Sequence, residues 1–150
     1  MENNGYIIQL IENRRLTTYE EHVSFMNAME ALSEKATIDD VSEICKSFFD
    51  DTLDDETMFS VIHLIEKFRG EQYLKIIAVN SPQMLEGHNW AMTLNKRIIN
   101  SSLYLDKYIE VIQQLEKGYK EKLLELLIEI KNDNPQKFGD KIDRIVKETK

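Results

Sequence analysis

The sequence has one cysteine, Cys45, two prolines and five glycines among its 150 residues. A single cysteine cannot build an internal disulfide framework, which excludes the small disulfide-stapled scaffolds. Few chain breakers, in a chain rich in Leu, Ile, Glu and Lys, point to helices over strands. No uninterrupted apolar run exceeds four residues, so no membrane-spanning helix is expected. The start, Met1-Glu2-Asn3-Asn4, lacks the basic and apolar regions of a secretory signal, so the cytoplasm is the expected compartment. Positive charge is also scarce. Nineteen Lys and Arg face 27 Asp and Glu, a formal net charge of −8. A nucleic-acid partner needs a basic footprint that this chain does not carry. An acidic protein instead attracts a basic partner and speeds its association.

Apolar residues at helical spacing predict a single domain, 1–150, of about seven to nine short helices joined by polar turns. The expected fold class is all-α. The short turns suggest antiparallel neighbours, and stacked helix pairs of the HEAT type are one arrangement of them. Helices are expected over about 4–15 and 18–33, the second with Tyr19, Val23, Met26, Met29 (or Ala28) and Leu32 on one face. Thr18 and Glu21 form its capping box. A third is expected over 38–49, with Thr37 as cap and Val41, Ile44, Cys45, Phe48 and Phe49 inward. A fourth covers 55–69, with Met58, Phe59, Ile62, Ile65 and Phe68 inward and Gly70 just past its end. Residues 71–79 read as a short helix, with a strand as the alternative because of Ile76, Ile77 and Val79. Ser81-Pro82 reads as a helix start. Further helices are expected over 88–100, 103–117, 119–131 and 136–148, with a turn and cap at Asn100-Ser101-Ser102 and a break at Asn132-Asp133-Asn134-Pro135.

The acidity is local. Residues 37–56 hold eight acids (Asp39, Asp40, Glu43, Asp50, Asp51, Asp54, Asp55 and Glu56) and one base, Lys46, for a charge of −7. Nineteen acids and 18 bases make up the remainder. Acids in first helical turns answer the positive end of the helix dipole, and Asp39, Asp40, Asp54, Asp55 and Glu56 fit that reading without a partner. Asp50 and Asp51 fall at the C-terminal end of the expected third helix, where the dipole disfavours them. That mismatch favours a binding role.

Catalytic and metal-binding patterns are missing. Read as a calcium loop from Asp50, the acidic turn puts Asp55 where glycine is needed and Val61 where a bidentate Glu is needed. His22, His63 and His88 form no zinc motif, and Cys45 has no cysteine partner. His63 and Glu66, three apart, can share a helix face as a hydrogen-bonded pair. Cys45 sits on an apolar stripe and reads as a buried thiol. No phosphate loop or nucleophile elbow is present. No cofactor, metal or enzymatic activity is expected. Trp90 is open to two readings, a core residue or a partly exposed interface anchor. Tyr104 and Tyr108 are similar, and their hydroxyls need partners if buried.

Two segments carry a family resemblance. Ile44-Cys45-Lys46-Ser47-Phe48-Phe49-Asp50-Asp51-Thr52-Leu53-Asp54-Asp55-Glu56 and the helix after it, with His63 and Glu66, resemble the acidic "F-D-D-D-T-x-D" turn and following helix of the immunity protein 30 family of bacterial polymorphic toxin systems. His88-Asn89-Trp90-Ala91-Met92-Thr93-Leu94-Asn95-Lys96-Arg97-Ile98-Ile99-Asn100 is similar to that family's "W-A-x-x-L-x-x-R-I-L-N" segment. Leu53 and Ile99 depart from the pattern. Together the segments cover about residues 40–115, and the first forty and last thirty-five residues contribute no motif. The resemblance implies an antitoxin that binds the C-terminal toxic domain of a cognate secreted effector, many of which are basic nucleases. Asp50, Asp51, Asp54, Asp55, Glu56, His63, Glu66, Trp90 and Arg97 are the expected partner-binding residues. The alternative is a helical adaptor or scaffold with no toxin partner.

Overall fold

Several helix starts in this chain are fixed by side chains that the sequence places just ahead of an apolar stripe. In the computed structural model, which describes residues 2–150, the described residues form nine α-helices and no strand. The first three are α1 (Asn4–Asn13), α2 (Tyr19–Lys35) and α3 (Val41–Ile44). They are followed by α4 (Asp55–Glu66), α5 (Glu71–Asn80) and α6 (His88–Ile99). The last three are α7 (Ser102–Gln113), α8 (Lys117–Asp133) and α9 (Pro135–Thr149). The all-α reading holds, and residues 71–79 are helical.

Thr18 and Glu21 form the expected capping box on α2. Asp54 caps α4, Ser101 caps α7, and Asn134 caps α9 with Pro135 in its first turn. Each supplies an acceptor to a backbone N–H that has no partner inside its helix.

The helix expected over 38–49 is instead a 3₁₀ turn (Ile38–Asp40), the four-residue α3 and a second 3₁₀ turn (Cys45–Ser47), after which Phe48 is extended. Adjacent residues of an α-helix point about 100° apart. Unwinding at Ser47 lets both Phe48 and Phe49 be buried, at 1% and 5% exposure. Ser81-Pro82 is also not a helix start. Ser81 closes α5, its hydroxyl donating back to the Ile77 carbonyl, and Ser81–Gln83 is a 3₁₀ turn.

Two faces differ from expectation. In α2 the buried residues are Phe25, Ala28, Met29 and Leu32, while Tyr19, Val23 and Met26 are exposed. In α4 the buried residues are Met58, Val61, Ile62, Leu64 and Ile65, and Phe59 and Phe68 are only half-buried. In both helices the buried stripe is shifted from the one the spacing predicts, because only the neighbouring elements decide which of several apolar positions is covered.

The described chain divides into two compact units. The first comprises residues up to Arg69 together with Met84–Trp90, and the second Gly70–Gln83 with Ala91–Lys150. In the first, α1 packs on α2, and the core includes Leu10, Phe25, Leu32, Ile44, Met58 and Ile62. Cys45 is buried there, and desolvation pushes its thiol up to about 12, which leaves it protonated and inert at neutral pH. In the second, α8 packs on α9 and α5 on α7. Its interior holds a polar chain: Tyr108 donates its hydroxyl hydrogen to Asn95 Oδ1, and Asn95 Nδ2 donates to Ser81 Oγ at 2.9 Å and to the Ala91 carbonyl at 2.8 Å. Burial, with the neighbouring Tyr73 adding to it, pushes the Tyr108 hydroxyl up, so it serves as a neutral donor.

Candidate functional site

The acidic turn of the first resemblance segment meets the start of the second, at Asn89 and Trp90, within the first unit, and backbone groups hold them together. The Asp50 N–H donates to the Glu86 carbonyl at 2.8 Å. The Asp50 carboxylate in turn accepts from the Asn89 N–H, with both oxygens at 3.1 Å. Asn89 lies in the first turn of α6, so Asp50 answers that helix's positive end from 39 residues away. The expectation that Asp50 sits unfavourably at a helix C-terminus is therefore corrected. The preceding helix ends before it, and its carboxylate caps another.

Trp90 completes the junction. Its Nε1–H donates to the Phe49 carbonyl at 3.1 Å, and its ring stacks on Phe48 with centroids 6.0 Å apart. Trp90 is half-buried, so it is packed on one side and open on the other. Two arginines sequence reasoning passed over fasten the other side of the turn. Arg14 donates to the Lys46 carbonyl, pairs with Glu86 at 2.8 Å, and lies 4.5 Å from the centre of the Phe49 ring. Arg15 lies over the same ring at 5.1 Å, and its carbonyl accepts from the Leu53 N–H. Leu16, at φ +53, takes a left-handed conformation that costs a leucine roughly 1 kcal/mol, yet its side chain is buried.

The acids thus divide by role. Asp40 is buried and accepts from the Thr37 N–H and from Asn3. Glu43 pairs with Lys46. Asp54 accepts from both the hydroxyl and the backbone N–H of Thr57, which together hold its carboxyl below the usual range, with His22 at 3.7 Å adding a smaller effect. Asp39, Asp51, Asp55 and Glu56 are exposed. Among the described residues no group of three His, Cys, Asp or Glu side chains is arranged to hold a metal ion.

The exposed acids of α4 border a shallow groove lined by Asp55, Glu56, Phe59, Ser60, His63 and Trp90. Residues 55, 59 and 63 are spaced by four and share one helix face. Phe59 meets His63 edge-on at 5.2 Å and Trp90 edge-on at 6.3 Å. Of the expected binding residues, the fold brings Asp55, Glu56, His63 and Trp90 together. Glu66 pairs instead with Arg69 at 3.2 Å and is nearly buried, and Arg97 belongs to the second unit. Phe59 was missed as a site residue. The available signal was its place midway between Asp55 and His63, one turn from each.

The motif turn, the helix it opens and the segment that locks onto it thus form one substructure with Arg14 and Arg15. The family model of immunity protein 30 matches residues 12–108, more than half of the chain. The chain belongs to the immunity protein 30 family. As an immunity protein it has a toxin protein as its partner. The match begins earlier than the two motifs suggest, which agrees with the structural dependence of the motif turn on Arg14 and Arg15. No curated protein and no solved structure matches the chain significantly. Among the described residues no helix is long and apolar enough to cross a membrane.

Asp54 gives a pH-dependent test of the capping role. A carboxylate whose folded pKa is depressed stabilises the fold above its ordinary pKa, and that contribution fades as pH falls through the folded value. Asp54→Ala is expected to lose about 1 kcal/mol at pH 7, and the difference from wild type should shrink below about pH 4. Urea denaturation at pH 7 and pH 3 measures both; a deficit of equal size at the two values would remove the cap as its cause.

Proposed function

We propose that this immunity protein acts in the cytoplasm as a stoichiometric inhibitor, not an enzyme, and binds the C-terminal toxic domain of a cognate secreted toxin through the acidic face of its first unit. The toxic domain is a basic nuclease in this reading. The observation that carries it is the groove on α4, where exposed carboxylates border two half-exposed aromatic rings. Tryptophan is enriched among the residues that carry most binding energy, and complementary charge raises the association rate.

The division of the acids decides which to change. Asp50 and Asp54 cap helices, so altering them confounds binding with folding. Asp51, Asp55 and Glu56 are the exposed set. The test pairs the chain with the toxin domain encoded beside it and follows association by biolayer interferometry. The wild-type association rate should fall steeply between about 50 and 500 mM salt, as screened attraction requires. Asp51→Lys/Asp55→Lys/Glu56→Lys should slow association at least about 10-fold at low salt while leaving thermal stability near wild type. An association rate that the triple reversal leaves unchanged would place the interface on another surface.

A further inference from the structure

The groove on the outer face of α4 combines two chemistries that few side chains satisfy together. Its apolar part is Phe59 and Trp90, two half-exposed rings with their planes 62° apart. Trp90 cannot withdraw into the core, because its indole N–H is held by the Phe49 carbonyl. Its acidic part is Asp55 and Glu56, both exposed, with Ser60 one turn beyond Glu56. An aliphatic or aromatic occupant would cover the rings but strip water from two carboxylates without replacing their hydrogen bonds. An anion would be repelled. A lysine ammonium is a compact, strongly hydrated charge with no plane to lay on a ring. A guanidinium is planar, less strongly hydrated, and able to stack on an aromatic face while its N–H groups reach carboxylates.

We propose that this groove receives an arginine side chain of the partner protein, stacked against Phe59 or Trp90 with its N–H groups on Asp55 and Glu56. The inference rests on the immunity reading for the identity of the partner, but the preference for arginine is a property of this chain alone. Trp90 is the only tryptophan, so its indole resonance reports on the groove without ambiguity.

The test titrates the full chain with acetyl-Gly-Arg-Gly-amide and with the neutral, nearly isosteric citrulline peptide, followed by ¹H–¹⁵N NMR at low salt. The arginine peptide should shift the Trp90 indole and the amides of Phe59 and His63 in a saturable way, and the citrulline peptide should not. Asp55→Asn/Glu56→Gln should weaken the arginine peptide about 10-fold or more, as expected when the acceptors of a charged group are neutralised. Absent shifts, equal shifts with citrulline, or shifts that the double variant leaves unchanged would overturn the proposal. A lysine peptide that binds as tightly as arginine would overturn the assignment to arginine. These outcomes stand apart from the immunity reading: a toxin domain that still binds tightly would leave that reading intact with no arginine site, whereas a toxin domain that forms no complex would remove the reading itself.

Discussion

Replacing Gly87 by alanine should destabilise the protein by about 2–4 kcal/mol, an effect out of proportion to one methyl group. A Cβ at this position would lie 2.7 Å from the Phe48 carbonyl oxygen, 2.9 Å from Phe48 Cβ and 3.0 Å from the Phe48 carbonyl carbon. Two of these atoms are backbone, and Phe48 is 1% exposed, so it has nowhere to move. The segment carrying Gly87 would have to lift away. Lifting it stretches the Asp50–Glu86 backbone bond, the Asn89–Asp50 cap and the Trp90–Phe49 bond together. Each is worth about 1 kcal/mol in a folded protein, and the rest comes from the overlap itself. Guanidinium unfolding measures the loss, and a red-shifted Trp90 emission should accompany it as the indole gains water. Gly118→Ala is the control. It lies in α8 with nothing within 4 Å of its would-be Cβ, and the exchange should be neutral or slightly stabilising. A Gly87→Ala protein as stable as wild type would mean that the two motif segments are not locked in this way.

The second large effect is expected inside the other unit. Asn95 is fully buried, and Asn95→Leu keeps the branching of the side chain, with somewhat greater bulk, while removing every polar atom. Tyr108 is also fully buried, and its hydroxyl hydrogen would lose its acceptor. An orphaned buried donor costs about 1–3 kcal/mol, and with the lost bonds to Ser81 and Ala91 the total should reach roughly 3 kcal/mol. Tyr108→Phe alone should cost about 1 kcal/mol, since Asn95 keeps its other two bonds. The double variant should be less destabilised than the sum of the two, because no hydroxyl is then left unpaired. Strict additivity in urea unfolding would show that the Asn95–Tyr108 bond is not the coupling. Toxin binding, which we propose for the first unit, should persist in any of these variants that remains folded.

These two sites show where sequence reasoning stops. Helix content, most helix starts and the burial of Cys45 follow from local chemistry: apolar spacing, cap residues such as Thr18 and Asn134, and the small number of breakers. Those are interactions within one or two turns, and a sequence displays them directly. The faces of α2 and α4 are not legible in this way: Tyr19, Val23, Met26 and Phe59 all fall on a helical apolar spacing, and only packing partners decide whether they are covered. The unwinding at Ser47 was equally hidden. It depends on burying two consecutive phenylalanines against a core the sequence does not draw.

The charge divides along the same line. That the acids concentrate between Thr37 and Glu56, and that this window coincides with an immunity protein 30 motif, the sequence determined by itself. Which of those acids are available to a partner was decided only by the tertiary structure. Asp50 and Asp51 are neighbours with the same charge and no local feature separates them. The backbone N–H of Asn89, 39 residues on, engages Asp50, and Asp51 is left exposed. A carboxylate's role is set by the donors around it, and donors brought from distant segments are invisible until the chain has folded.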